Sequence, residues 1–282
     1  MNIMLEGPEV GFILDPTVHV IAVPVFYPHS RYKLPTYHPN PDNLDVTMLQ
    51  GTSCEQLIAH AGKGCYDSYG EDGRSIEEHI RGLIDVGHGS VLEHANISVF
   101  IEGISRGCSH EFVRHRAGFS YSQRSTRYVD EGECSIVLEP HMAMLYKMDA
   151  TERRPDEEIL ITRYCQSLRD SVNEYRFAVD KLLRLAPTDL GETDKRKWAR
   201  GKARQLLPIG LETRMTVTAN LRAWRHFLVM RSSQHAEAEI RRLTQELWWQ
   251  LSPYAPSVFK DLEDGGVQVG EFLEFSTEHP KV

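Results

Sequence analysis

Strand-like and helix-like stretches follow one another along this chain without regular alternation, which predicts an α+β domain over a doubly wound sheet. Two stretches anchor that reading. Residues 96–104 (NISVFIEGI) alternate Ile97, Val99 and Ile101 with Ser98, Phe100 and Glu102, the two-residue period of a strand. Residues 155–186 set Ile159, Leu160, Tyr164, Leu168, Val172, Tyr175, Val179 and Leu183 at the spacing of a long amphipathic helix.

The other elements follow in order. Residues 18–27 hold Val18, Val20, Ile21, Val23, Val25 and Phe26 and read as one or two strands. The stretch is too short to cross a bilayer and contains Pro24. Residues 29–45 (HSRYKLPTYHPNPDNLD) carry turn residues and read as a loop. A helix is expected from Ser53 to about Cys65, with Ser53 as N-cap and Gln56 three positions on. A second runs from Ser75 to about Val86, with Glu78 in the capping-box position and Ile76, Ile80, Leu83 and Ile84 on one face. Gly87 ends it. Residues 105–116 read as helical. Residues 195–207 form a further helix stopped by Pro208, and residues 218–251 hold at least one long helix. Trp224, Trp248 and Trp249 lie at helical spacing and read as packing residues; Cys65 and Tyr66 read as core. No internal repeat is present.

A chain of 282 residues is long enough to bury a core without staples, and 41% hydrophobic with 26% charged residues is a globular profile. The 32 basic and 40 acidic residues give a net charge of −8, which argues against a surface that coats nucleic acid. Any bound anion must meet local arginines. The five cysteines are odd in number and form no CxxC pair, so reduced thiols in a cytoplasmic protein are expected. No basic region opens the chain, and Glu6 and Glu9 interrupt its first twelve residues, so neither signal peptide nor membrane segment is expected.

Neither GxGxxG nor GxxxxGK[ST] is present, and GxSxG and HExxH are absent. His88 and His94 are six apart, which suits neither helical ligand spacing, so no metal site is expected. The chemistry concentrates in residues 106–128. Arg106, Arg114, Arg116, Arg124 and Arg127 stand there among Ser120, Ser122, Gln123, Ser125 and Thr126, with Phe119, Tyr121 and Tyr128. Guanidinium forks match phosphate oxygens, hydroxyls and an amide add neutral bonding groups, and aromatic rings pack on a ring. That mixture suits a phosphorylated heterocycle. A solvated basic face and an RNA-binding segment are the two alternatives. Ser125 has no base beside it in sequence, so it reads as a phosphate or ribose contact, not a nucleophile.

The segment RHRAGFSYSQRSTRY, residues 114–128, resembles the signature of the flavin-dependent thymidylate synthase family, RHR-xx-S-x-N/S-xx-S-x-R-Y. Three residues, Ala117, Gly118 and Phe119, stand where that pattern has two. GHGSVLEH (87–94), ARQLLP (203–208) and TANLRAWRHFLVMR (218–231) resemble three further elements of the family, in the same order. The resemblance divides the chain into an N-terminal extension (1–45), a synthase-like domain (46–255) and a C-terminal tail (256–282). It implies a central mixed or antiparallel sheet flanked by long helices. It also implies a homotetramer with FAD and the active sites at subunit interfaces.

Carried over residue by residue, the flavin contacts are Ser90, Arg114, His115, Arg116, Gln123, Asn220, Arg222 and His226. The nucleotide contacts are Glu111, Phe112, Val113, Arg114, Gln123, Arg124, Ser125, Thr126, Arg127, Arg204 and Arg231. Glu111 departs from the family's usual Gln. Arg231 carries the catalytic role, stabilising an anionic uracil ring. His88 reads as a flavin or folate contact or as a structural histidine. The implied reaction is C5-methylation of dUMP to dTMP. Methylenetetrahydrofolate is the carbon donor, reduced FAD the hydride donor and NADPH the reductant. Methylation of UMP in nucleoside-antibiotic synthesis is the rival within the class, motivated by Glu111 and the extra residue near Gly118.

Overall fold

A computed structural model describes residues 9–27, 51–66 and 74–282. The loop expected at 29–45 lies outside them. Along the chain come β1 (Phe12–Ile13), β2 (Thr17–Ala22), α1 (Ser53–Gly64), α2 (Ile76–Asp85), a 3-10 turn (Gly89–His94), β3 (Asn96–Ser105) and α3 (Arg106–Phe112). Then follow β4 (Phe119–Gln123), β5 (Ile136–Val137), α4 (Pro140–Lys147), α5 (Pro155–Leu185), α6 (Glu192–Ala203), β6 (Glu212–Asn220), α7 (Leu221–Ser232) and α8 (Ala238–Leu251). The chain closes with α9 (Pro256–Asp264), β7 (Val267–Val269) and β8 (Phe272–Glu274).

Helices and an antiparallel sheet make the fold α+β, as the irregular succession of elements predicted. The four-stranded sheet has the order β2-β3-β6-β4. Bonds from Arg106 N to Leu211 O and from Arg124 N to Arg214 O, both 2.9 Å, flank β6 in antiparallel register with its two neighbours. β3 buries Ile97, Val99 and Ile101, the face that its alternation marked.

By contact, the described residues form two compact units. One takes those up to Thr17, Ile101–Phe112 and Ser122–Met215; the other takes those of Val18–Phe100, Val113–Tyr121 and Thr216–Val282. In the first, Leu138, Met142, Leu145, Ile161 and Cys165 pack together, next to Ile136, Val172 and Leu211. In the second, the 3-10 turn packs on α7, and α7 packs on α8. Trp224 stands edge-on to Phe119 and Phe227 there, with ring centroids 5.2 and 6.2 Å apart.

Several expectations are corrected. The N-cap of α1 is Thr52, not Ser53: Thr52 is extended, and the capping box closes with Glu55, not Gln56. The helix expected over 105–116 ends at Phe112, because the chain must turn at Gly118 to enter β4. The helix expected over 195–207 starts earlier, at Glu192, and gives way to a 3-10 turn at Arg204–Leu206. The stretch 218–251 is not helical throughout. Its first three residues finish β6, whose alternation of Met215, Val217 and Ala219 inward was hidden by polar neighbours, and residues 233–237 break α7 from α8.

The length of α5 was legible, but its face was not. Val172, Tyr175 and Val179 are buried with Ile161 and Cys165, whereas Ile159, Leu160, Tyr164 and Leu183 are exposed. Trp224 and Trp248 pack as expected, but Trp249 is exposed, and so are Cys65 and Tyr66. All five cysteines are free, and Cys65 alone is exposed. Burial pushes the Cys54 thiol up to about 12, helped by the Glu55 carboxylate, and that of Cys134 up to about 11, helped by Glu131. Among the described residues no helix is long and apolar enough to cross a membrane.

Candidate active site

The second unit gathers most of the residues that the resemblance assigns to flavin. After α3 the chain turns through residues 113–118 and enters β4. Gly118 has φ +75°, a left-handed conformation that glycine adopts without strain. A Cβ there would stand 2.7 Å from Asn220 Nδ2 and 2.9 Å from Ala223 Cβ, so the turn lies directly on the start of α7. Asn220 caps that helix, its side-chain oxygen accepting from Ala223 N at 2.8 Å. The three-residue spacing at Ala117–Phe119 is thus accommodated by a glycine pressed against a helix cap.

This turn fixes His115. Its backbone carbonyl accepts from Tyr121 Oη at 2.5 Å, and its ring stands edge-on to Phe227, with centroids 4.9 Å apart. Its Nε2 accepts from Arg231 Nε at 2.8 Å, which places the ring proton on Nδ1. Burial pushes the imidazole down to about 4, with the Arg231 and His226 charges adding to the effect. A neutral ring is therefore held against a cation in the last turn of α7. Arg114, Arg116 and His226 are exposed, as is Ser90 on the 3-10 turn. Arg222 donates to Glu93 Oε1 at 2.7 Å and to the Lys281 carbonyl at 2.5 Å.

The first unit holds most of the residues assigned to the nucleotide. Gln123 Nε2 donates to Ser109 Oγ at 2.7 Å and to Thr213 Oγ1 at 3.3 Å. Arg204 donates to Thr126 Oγ1 at 3.4 Å. Arg127 is exposed, and Ser125 is half-buried. The Phe112 side chain is fully buried, so only its backbone can face a ligand. Glu111 precedes it in the last turn of α3.

Arg124 is engaged by two carboxylates: Nη2 meets Glu131 Oε2 at 2.8 Å and Nη1 meets Glu212 Oε2 at 3.5 Å. Both acids are buried, and Arg106 reaches across to donate to the Arg124 carbonyl at 3.1 Å. Burial raises the Glu131 carboxyl, an effect the Arg124 charge opposes and the Glu212 charge reinforces. The guanidinium thus ties residues 123–127 to β6, and any direct phosphate contact from Arg124 shares it with these acids. Glu131 and Glu212 were not singled out in sequence, since partners 7 and 88 positions from Arg124 leave no periodic mark. Glu93, inside the GHGSVLEH stretch, was the one partner with a local signal.

Val113, Arg114 and Arg231 lie in the second unit, so the nucleotide set is drawn from both, and Gln123 is the one flavin-assigned residue in the first. The donor set fits a flavin dinucleotide. Arg114 and Arg116, both exposed, offer planar forks of the kind a pyrophosphate takes, and the exposed Ser90 offers a neutral hydroxyl. Among the described residues no cluster of metal-ligating side chains forms.

Known proteins bear on this arrangement. Residues 47–257 match the family model described as thymidylate synthase complementing protein. The chain is 43% identical over 212 residues to a flavin-dependent thymidylate synthase of Mycobacterium marinum, covering 74% of this chain and 80% of that one. It is 42% identical over 210 residues to one of Mycobacterium tuberculosis, covering 73% and 79%. Among solved structures it is similar to the UMP/dUMP methylase PolB of Streptomyces cacaoi bound with 5-Br UMP. The TM-score is 0.61 and the identity 19%, over 90% of this chain and 97% of that one. The complex of PolB with 5-Br dUMP gives 0.59 and 18%, over 89% and 96%. With a family model spanning most of its length and relatives above 40% identity, this chain belongs to the thymidylate synthase complementing protein family.

Proposed function

We propose that this chain is a flavin-dependent methyltransferase that converts dUMP to dTMP, working as a cytoplasmic homotetramer with FAD. The observation that carries the reading is the likeness to flavin-dependent thymidylate synthases over nearly three quarters of the chain, together with a family match over residues 47–257 that contains all four motifs. When bound, FAD in its reduced form supplies the hydride, methylenetetrahydrofolate the carbon unit, and NADPH the electrons that reduce the flavin.

The chain's own residues bind and orient. Arg127, Arg204, Ser125 and Thr126 hold the nucleotide phosphate and sugar. Arg114, Arg116, Asn220, Arg222 and His226 hold the cofactor. Methylation at C5 needs electron density there, and a cation against the deprotonated N3 and its flanking carbonyl oxygens sustains it. Arg231 has that role. Neutral His115 accepts from Arg231 Nε, so it orients the guanidinium without cancelling its charge.

A purified chain that binds FAD and forms dTMP from dUMP, methylenetetrahydrofolate and NADPH meets the expectation. A chain that shows no flavin absorbance, no spectral change on added FAD and no dTMP refutes it. Arg231→Ala is expected to keep the fold by circular dichroism and to lose about a hundredfold or more in kcat, the scale of one preorganised donor. UMP is the second reading, favoured by Glu111 in place of the family's Gln and by the extra residue before Ser120. Methylation of UMP at a rate comparable to dUMP selects it.

A further inference from the structure

Arg222 is held from two sides within the second unit, by the Glu93 carboxylate and by the Lys281 carbonyl. Lys281 lies beyond residues 47–257, the part that the family model matches. The segment that carries it is itself anchored. Arg225, 1% exposed, donates to both carboxylate oxygens of Asp261 at 2.6 and 2.8 Å and to the Val258 carbonyl. Asp261 also accepts from Thr277 Oγ1 at 2.5 Å, and Val282 O accepts from Arg225 Nε at 3.4 Å. Burial alone raises the Asp261 carboxyl, but the bonds and charge of Arg225, with Thr277, outweigh it and hold it below its ordinary value.

The fit is close at the other end. Val282 is buried, and a Cβ added to Gly89 would stand 3.0 Å from Val282 Cα and 3.1 Å from Arg222 Nε. Behind the segment a small, mostly apolar cavity is lined by Arg225, His226, Met230, Thr277, Pro280 and Val282. His226 and Arg222, both assigned to flavin, therefore share the face of α7 on which residues 277–282 lie.

We propose that residues 277–282 are a positioning clamp for Arg222: the Lys281 carbonyl, with Glu93 opposite, fixes the guanidinium before a flavin phosphate arrives. This rests on the flavin reading of the site. An arginine side chain carries about 2 kcal/mol of rotamer entropy, so a guanidinium held in place beforehand binds an anion with less ordering still to be done. The clamp bonds engage two of its five donors and leave the others for the ligand.

The test is FAD titration of the flavin-free full chain, followed by flavin fluorescence, for Gly89→Ala, Thr277→Val, Arg222→Ala and the Gly89→Ala/Arg222→Ala pair. Gly89→Ala is expected to raise the FAD dissociation constant about tenfold, the scale of one charge-assisted hydrogen bond. Thr277→Val is expected to shift it less and in the same direction. In the Arg222→Ala background Gly89→Ala is expected to change it by less than about twofold, because coupled residues are non-additive. A Gly89→Ala chain that binds FAD as tightly as the unmodified one overturns the clamp, and so does an effect that adds in full to that of Arg222→Ala. If Gly89→Ala fails to fold, Thr277→Val with and without Arg222→Ala decides on the same two criteria. An unmodified chain that binds no FAD overturns the flavin reading, and the clamp with it.

Discussion

At His115 burial and a neighbouring cation push the same way, and the ring stays neutral far below the ordinary imidazole value near 6.5. An unfolded chain binds a proton there between pH 6.5 and about 4 while the folded chain does not. Folding stability therefore falls as pH drops through that window and is unaffected by this group above it. NMR titration of the His115 ring protons is expected to give a midpoint near 4. Arg231→Ala is expected to raise that midpoint, because it removes a cation and a donor from Nε2; an unchanged midpoint would refute the pairing. Gly118 poses a steric question at the same turn. Gly118→Ala is expected to destabilise the chain by about 1–3 kcal/mol, since it adds left-handed strain and presses on Asn220 and Ala223. Thermal unfolding measures it. Residues at this scale were legible where a motif lists them side by side, as in RHR. Their partners were not: nothing in sequence ties Arg124 to Glu212 or Arg222 to Lys281, because folding alone brings them together.

Among the elements, α2 was readable from its periodicity and its capping box, and α5 in its length alone, from the long run of helical spacing. β4 was not, because FSYSQ is a short edge strand of half-buried and exposed residues, and its aromatic alternation was outweighed by the polar run around it. The capping box of α1 was displaced by one residue because Ser53 and Gln56 mimic it; the choice fell to Thr52 through a distant partner. Glu55, 2% exposed, accepts from Thr52 N at 2.9 Å with one carboxylate oxygen and from Ser257 N at 2.7 Å with the other. One side chain thus closes the starts of α1 and α9 together. Glu55→Ala is expected to cost about 2–4 kcal/mol, as it leaves two backbone donors and a buried gap. A urea unfolding midpoint that shifts by no more than an ordinary exposed cap would contradict that double role.

For the whole molecule, the fold class followed from the order of elements, and the family from four motifs spread over most of the chain. The division into two compact units did not show in sequence, because β3, β4 and β6 each pass from one unit to the other and no linker marks the change. Nor did the exposed apolar residues of α5, whose amphipathic stripe is broader than the single face it buries.

The thiols give the molecule an unplanned handle. Four are buried, and only Cys65, at the end of α1 next to Tyr66, faces water. A maleimide dye is expected to attach once per native chain and five times after unfolding, with mass spectrometry counting the adducts. More than one rapid native adduct would show that a second thiol opens. The wild-type chain thus accepts one optical label at a known address, on the side of the 3-10 turn where Tyr66 stacks on His88. The proposed arrival of FAD at that turn can be tested in real time without engineering a cysteine.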